Sequence, residues 1–144
     1  MLRGNSEAKI DEKGRLKVPA TFKKVFDDEF PQTKFYVTSL DGKSARIYPL
    51  ESWLEVESKF KNSFDPLMAD MKLKVNYFGG EAELDAQSRL LIPQVLRAKA
   101  GIQGEVSVMG MTNYLEVMTS DNAKLRAERE FTPEEMARLA GMGI

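Results

Sequence analysis

The chain has 144 residues, no cysteine and no histidine, and a formal net charge of −1 at neutral pH. The length suits one domain or two intertwined half-domains with a sizeable core. The missing residue types exclude disulfides, thiol nucleophiles, Ser-His and Cys-His catalysis and nearly all zinc chemistry. We therefore expect a protein that is not an enzyme and that holds no cofactor and no metal.

Neither a membrane span nor an export signal is visible in the sequence. No run approaches the roughly 18 apolar residues that a membrane helix needs, and the N-terminus lacks the basic and apolar regions of a signal peptide. We expect a cytoplasmic protein without a membrane partner.

Charge is unevenly distributed along the chain. Residues 1–24 carry seven cations and three acids, a net charge of +4, which leaves −5 for the remainder. The cations are Arg3, Lys9, Lys13, Arg15, Lys17, Lys23 and Lys24. A basic segment on an acidic body favours a polyanionic partner, although short basic runs also arise by chance.

The first predicted unit is strand, tight turn, strand and helix. Apolar and polar residues alternate before and after a turn of sequence Asp-Glu-Lys-Gly, and Pro19 opens a helix. Alternation puts Ala8, Ile10, Leu16 and Val18 on one face and Lys9, Asp11, Arg15 and Lys17 on the other. Lys13 lies at the tip of the turn, and Gly14 can adopt its positive φ.

The middle of the chain is predicted to contain three helices and a hairpin. A stripe of Phe22, Val25, Phe26 and Phe30 defines the first helix. Residues 34–40 and 45–48 form a hairpin around an Asp-Gly turn. A helix from Pro49 carries Leu50, Trp53, Leu54 and Phe60 on one face, and a helix capped by Asp65 carries Leu67, Met68, Met71, Val75 and Phe78. We expect Trp53 to be a core residue, and the methionines to be core residues or a subunit contact.

The first unit then returns. Asp11, Arg15, Leu16 and Pro19 recur as Asp85, Arg89, Leu90 and Pro93, all at one offset of 74 residues. A constant offset indicates duplication. In the second copy Ser88 replaces the turn glycine, so this residue has to tolerate a strained turn conformation.

The second copy predicts the same order of elements as the first. A helix over 94–100 ends at Gly101, and strands at 104–109 and 114–118 form a hairpin bent at residues 110–113. A mixed-charge helix over 122–130 and a helix with the capping box Thr132…Glu135 complete the chain.

The repeated motif Asp-x-x-x-Arg-Leu-x-[Val/Ile]-Pro, the opening Met-Leu-Arg-Gly and the segment Tyr48–Trp53 resemble the MraZ family of two SpoVT-AbrB-type units. The resemblance implies an α+β fold in which two tandem, swapped-hairpin units form one intramolecular pseudo-dimeric β-barrel with peripheral helices. We expect the units at 5–52 and 80–122, connecting helices at 53–79 and a helical tail at 123–144.

The resemblance also implies a function. Members of this family are DNA-binding transcriptional regulators that act at repeated boxes upstream of a cell-division and cell-wall operon containing their own gene, and they assemble into closed rings. A cytoplasmic, nucleoid-associated homo-oligomer that binds double-stranded DNA is therefore expected. We assign DNA contact to Arg15, Lys13, Lys9, Lys17 and Arg3, and a structural role in the turns to Asp11, Gly14, Asp85 and Arg89.

Three alternatives stay open at this point. Arg15 could simply pair with Asp11 and brace the turn. The chain could be an antitoxin-like DNA-binding module whose C-terminal part neutralises a partner protein. An enzyme that uses the carboxylates of Asp11 and Asp85 is the least favoured, because both residues already have a structural role in a turn.

Overall fold

Residues 1–31 and 34–144 are described by a computed structural model of the protein. Within them the strands are β1 (Leu2–Ile10), β2 (Arg15–Lys17), β3 (Lys34–Thr38), β4 (Ala45–Pro49), β5 (Gly80–Glu83), β6 (Arg89–Leu91), β7 (Gly104–Thr112) and β8 (Leu115–Thr119). The helices are α1 (Ala20–Glu29), α2 (Leu50–Lys61), α3 (Pro66–Tyr77), α4 (Gln94–Ala100), α5 (Ser120–Glu128) and α6 (Pro133–Gly141).

The strands form one antiparallel sheet in the order β5-β3-β4-β8-β7-β1-β2-β6. Strands of the two copies interleave: β1 pairs with β7, β2 with β6, β3 with β5, and β4 with β8. The end strands β5 and β6 follow each other in the chain, and the Asp85 N–H donates to the Arg89 carbonyl at 3.0 Å. The result is a nearly closed barrel with helices around it, which confirms the predicted α+β pseudo-dimer.

Two backbone hydrogen bonds show the pseudo-two-fold symmetry of the barrel. The Val18 N–H donates to the Ser88 carbonyl at 2.9 Å, and the equivalent Ile92 N–H donates to the Gly14 carbonyl at 3.0 Å. Each turn is therefore held by the strand that follows the turn of the other copy. The turn of each copy accepts a hydrogen bond from the other copy, so the two copies fold as one unit.

The core draws equivalent residues from both copies. Leu16 and Leu90 are fully buried on the inner faces of β2 and β6, and Phe22 of α1 and Leu96 of α4 belong to the same buried cluster. Fully burying a leucine or phenylalanine stabilises the fold by about 1.5–3 kcal/mol. The alternation seen in the sequence thus corresponds to the inner and outer faces of the barrel wall.

A second cluster lies under α2 and α3. Trp53 is buried there, with its ring stacked on Tyr36 at 4.5 Å and tilted against Tyr48 at 5.1 Å. The prediction that Trp53 is a core residue is confirmed. Leu54 and Leu67 were predicted on the buried faces of their helices but are exposed, because the two helices meet the barrel through the narrower side that carries Trp53 and Val75.

The predicted bend at residues 110–113 is wrong in its position. Strand β7 continues through Gly110 and ends at Thr112, which has a φ of 72°. Gly110 lies opposite Gly4 of β1, and a Cβ atom on Gly110 would come within 2.2 Å of the Arg3 backbone nitrogen. This glycine therefore permits close approach of two strands and does not mark a turn.

Helix boundaries agree closely with the local signals. Asp65 caps α3 by accepting a hydrogen bond from the Leu67 N–H at 3.0 Å, and Gly101 ends α4 in the left-handed conformation. The capping box of α6 is complete, because Thr132 and Glu135 bond to each other's backbone N–H. In the described part of the chain no helix has the length and apolar character to cross a bilayer.

Candidate nucleic-acid interface

The first turn is built around the carboxylate of Asp11. Its Oδ1 accepts hydrogen bonds from the N–H groups of Lys13 at 3.0 Å and Arg15 at 2.9 Å, and its Oδ2 accepts one from Arg15 Nε at 2.9 Å. Gly14 completes the turn with a φ of 85°. Arg15 therefore braces its own turn, as the first alternative reading of the sequence held.

The second turn has the same geometry. Oδ1 of Asp85 accepts from the N–H groups of Gln87 at 2.8 Å and Arg89 at 2.9 Å, and Oδ2 accepts from Arg89 Nε at 2.8 Å. Ser88 occupies the glycine position with a φ of 61°, which confirms that this residue adopts the strained conformation. The duplication thus extends from sequence to individual hydrogen bonds.

Hydrogen bonding keeps both aspartates ionised. The backbone N–H of Arg15 lowers the pKa of the Asp11 carboxyl, and the backbone N–H of Arg89 does the same to the pKa of Asp85. The guanidinium groups of the same two arginines add to the effect. Each negative charge is therefore matched by an adjacent arginine.

The two turns lie side by side. Nη1 of Arg89 is 3.6 Å from Oδ2 of Asp11, and Nζ of Lys17 donates to the carbonyl of Gln87 in the second turn. A first-copy cation, Lys17, therefore faces the second turn, and a second-copy cation, Arg89, faces the first.

Between the turns, β2 and β6 form a two-stranded antiparallel ribbon, here named the β2–β6 ribbon (Arg15–Lys17 and Arg89–Leu91). Arg15 is opposite Leu91, and Lys17 is opposite Arg89. The central residues Leu16 and Leu90 point into the core and are fully buried. The outward positions are Arg15, Lys17, Arg89 and Leu91, so three of four carry a positive charge.

The structure places the other predicted DNA contacts unequally. Lys13 is exposed at the tip of the first turn, and Lys9 is exposed on β1 one residue before Ile10, which pairs with Leu16 of the ribbon. Arg3 is exposed opposite Met111, six residues before Lys9. At about 3.3 Å per strand residue, this separates Arg3 from Lys9 by roughly 20 Å. Lys9 and Lys13 therefore lie beside the ribbon that carries Arg15 and Lys17, and Arg3 lies apart from them.

Arg97 is a further cation of this region that the sequence reading missed. Its Nε donates to the Ile92 carbonyl at 2.8 Å, and its guanidinium lies against Gly14, where a Cβ atom would be 2.2 Å from Arg97 Cζ. The signal was present, because Arg97 stands 74 residues after Lys23 and thus repeats a cationic position. The positive φ of Gly14 and this neighbouring guanidinium both favour glycine at the first turn.

Comparison with known proteins gives the family. The model of the family described as "MraZ protein, putative antitoxin-like" matches residues 1–75 and 79–122. The chain belongs to the MraZ family. It is 44% identical to the "Transcriptional regulator MraZ" of Koribacter versatilis over the full length of both proteins. It is 43% identical to the protein of that name from Acidobacterium capsulatum, again over both full lengths, and 35% identical to the one from Desulforamulus reducens over 95% of each.

Membership of the MraZ family agrees with the sequence resemblance and with the interleaved barrel. Among residues 1–31 and 34–144, no group of three or more acidic side chains is arranged to hold a metal ion. The two turns, the β2–β6 ribbon and the cations around them form the candidate interface.

Proposed function

We propose that this chain is a transcriptional regulator that binds double-stranded DNA with the β2–β6 ribbon and the adjacent first turn. The observation that carries the proposal is the ribbon's outward face, where Arg15, Lys17 and Arg89 stand together on a rigid, core-anchored support. The names of the full-length relatives support a role in transcription.

The shape of the ribbon suits the major groove of DNA. Two paired strands are about 4.8 Å apart, and the major groove is about 12 Å wide and admits a two-stranded β-ribbon. Asp11 and Asp85 lie nearby, but each is paired with an arginine, so the face remains attractive to phosphates.

Arg15 is the best candidate for reading a base. Its Nε is engaged by Asp11, and within the described residues its two terminal nitrogens donate no hydrogen bond. Such a fixed guanidinium can pair with O6 and N7 of guanine in bidentate fashion. Lys9, Lys13 and Lys17 are point charges that suit phosphates, and phosphate contacts position a protein without specifying a sequence.

The site of action follows from the family resemblance. We propose binding at repeated boxes in the promoter of the operon for cell division and cell-wall synthesis that includes the protein's own gene, by a cytoplasmic, nucleoid-associated homo-oligomer. One ribbon makes few contacts, and several ribbons on one closed ring would gain avidity. Exposed apolar residues of α3, namely Leu67, Leu73 and Tyr77, offer surface for contact with another copy.

A gel-shift titration tests the proposal. The full-length protein is titrated against a duplex from upstream of its own gene and against a scrambled duplex of equal composition, at several salt concentrations. We expect tighter binding to the promoter duplex, and we expect affinity for both duplexes to fall as salt rises. Absence of binding to the promoter duplex at every salt concentration would overturn the proposal.

The antitoxin-like alternative has one observation in its favour. Helix α6 and its flanks leave Phe131, Met136 and Met142 exposed. Helix α5 is anchored differently, since Ser120 Oγ donates to Glu7 at 2.8 Å and Arg126 pairs with buried Glu116 at 3.3 Å. A partner-binding segment would therefore be confined to residues after α5. Resistance of those residues to limited proteolysis in the isolated protein would count against this alternative.

A further inference from the structure

One outward position of the β2–β6 ribbon is apolar. Leu91 is 52% exposed, whereas its neighbour Leu90 is fully buried in the core. Leu91 stands 74 residues after Lys17, so the duplicated position carries a cation in one copy and a leucine in the other. The two copies therefore present different chemistry at equivalent places on the same face.

The surroundings of Leu91 are those of the proposed DNA contacts. Arg15 is its cross-strand partner, and directly opposed side chains in an antiparallel pair have Cβ atoms about 4.5–5.5 Å apart. The next residue, Ile92, donates its N–H to the Gly14 carbonyl at 3.0 Å, so Leu91 lies next to the first turn. The equivalent Lys17 reaches the Gln87 carbonyl of the second turn, a polar contact that a leucine cannot make.

An exposed leucine among cations matches one feature of the major groove. Every other recognition group there is a hydrogen-bond donor or acceptor, and the 5-methyl group of thymine alone is apolar. Successive bases on a strand are about 3.4 Å apart, so side chains separated like Arg15 and Leu91 reach neighbouring base pairs. Lysine at this place would instead seek a phosphate or a guanine.

We propose that Leu91 is a specificity-determining residue that contacts the 5-methyl group of a thymine next to the base pair read by Arg15. The inference rests on the proposed function and deepens it. In this view the ribbon contacts bases with a guanidinium and an isobutyl group that lie side by side. The charge pattern alone would describe the ribbon only as a basic patch.

The test removes single methyl groups from the DNA. Each thymine in the bound promoter box is replaced in turn by deoxyuridine, which keeps every hydrogen-bonding group, and binding of the full-length protein is measured at fixed salt. We expect one thymine whose replacement weakens binding about three- to five-fold, the value of one buried methyl group. Leu91→Ala should bind the unmodified box more weakly by a similar factor and should be insensitive to that replacement.

Two variants serve as controls. Leu125→Ala removes a leucine that is 72% exposed on α5, and it should respond to deoxyuridine as the wild type does. Leu91→Lys restores the cation of the first copy; it should lose the response to the thymine methyl and raise affinity for scrambled DNA. Thermal unfolding and mass by light scattering are recorded for each protein, and Leu91→Ala should match the wild type in both.

The possible failures are distinguishable. If the wild type binds the promoter duplex but Leu91→Ala responds to deoxyuridine at every thymine as the wild type does, this inference is overturned. The proposed function then still stands. Dissociation of the oligomer by Leu91→Ala, with an unchanged deoxyuridine response per bound subunit, would show that a second copy covers the residue and would also overturn it. Failure of the wild type to bind the promoter duplex would overturn both.

Discussion

Nη1 of Arg89 lies 3.6 Å from Oδ2 of Asp11, so the arginine of the second copy faces the carboxylate of the first turn as well as its own Asp85. The side chains of Arg15 and Arg89 are 30% and 25% exposed, and each donates Nε to its own aspartate. From the sequence, Arg15 is predicted to contact DNA and Arg89 to have a structural role in its turn. The geometry gives both arginines the same bracing contact and gives Arg89 one more.

This relationship predicts how the effects of replacing the two arginines differ. Arg15→Ala should cost about 1–3 kcal/mol of discrimination between specific and scrambled DNA if Arg15 reads a guanine. Arg89→Ala should weaken both DNAs more evenly. Because partly exposed ion pairs contribute about 0–1 kcal/mol, both variants should lose little stability, with Arg89→Ala losing slightly more.

Thermal unfolding and binding to both DNAs are measured for the two proteins, with Arg15→Lys as a matched control that keeps the charge but loses bidentate geometry. If Arg89→Ala lost all specific binding while Arg15→Ala bound normally, the assignment of base reading to the first copy would be wrong.

Much of this arrangement was predictable because its signals are local. The Asp-x-x-x-Arg spacing predicts a turn in which an aspartate bonds backbone N–H groups, and Asp11 and Asp85 both do so. Pro93 and Gly101 delimit α4 at the predicted residues. The interleaved barrel is what the family resemblance implied, and the duplication agrees with it, since two separate half-domains would each have a small core.

The remaining features depend on contacts between distant residues. The register that sets Arg15 opposite Leu91 pairs residues that are separated in the sequence by about the duplication offset. No local sequence pattern specifies such a register. The role of Gly110 was misread because a glycine that admits a neighbouring strand looks in sequence like a glycine in a turn. The division of the chain into four segments stays a prediction.

Salt dependence should identify the phosphate contacts. Replacing Lys9, Lys13 or Lys17 by alanine should each reduce the slope of log affinity against log salt by about one, because each neutralises one phosphate. Arg3→Ala should change the slope less, since Arg3 lies at the far end of β1. Lys124→Ala on α5 is the control for a loss of charge away from the ribbon. Equal changes in slope for Arg3→Ala and Lys13→Ala would contradict the prediction that the phosphate contacts cluster around the β2–β6 ribbon.

The two turns should respond oppositely to substitution at the glycine position, which is Gly14 in the first turn and Ser88 in the second. Gly14→Ala places a Cβ in a left-handed conformation and against Arg97, so it should destabilise the fold by about 1–2 kcal/mol. Ser88→Gly relieves a positive φ and should be neutral or stabilising by less than about 1 kcal/mol. Denaturant unfolding of both variants checks this. Equal destabilisation would mean that packing, and not φ, limits these positions.

The turn aspartates predict loss of stability in acid. Because hydrogen bonds lower the folded-state pKa of Asp11 and Asp85, their contribution is fully present above the ordinary aspartate pKa of about 3.9 and is lost as pH falls through the lower folded pKa. Asp11→Asn with Asp85→Asn should therefore flatten the dependence of melting temperature on pH in this range. Glu130→Gln, at an exposed position between α5 and α6, is the control. If the melting temperature of the double variant fell with decreasing pH as steeply as that of the wild type, the turn aspartates would be excluded as the cause of the acid sensitivity.

The proposed ring predicts a dependence on the spacing of DNA boxes. Several ribbons carried by one closed oligomer would engage boxes on the same side of the duplex, which recur about every 10 base pairs. Two boxes at that spacing should bind far more tightly than one, with avidity gains of ~10² to 10⁴. Inserting about five base pairs turns the second box to the opposite side of the duplex and should remove most of the gain, whereas inserting about ten should restore much of it. Light scattering on the free protein gives the subunit number. A monomeric mass together with undiminished affinity for a single box would refute the ring, because the ribbon would then suffice alone.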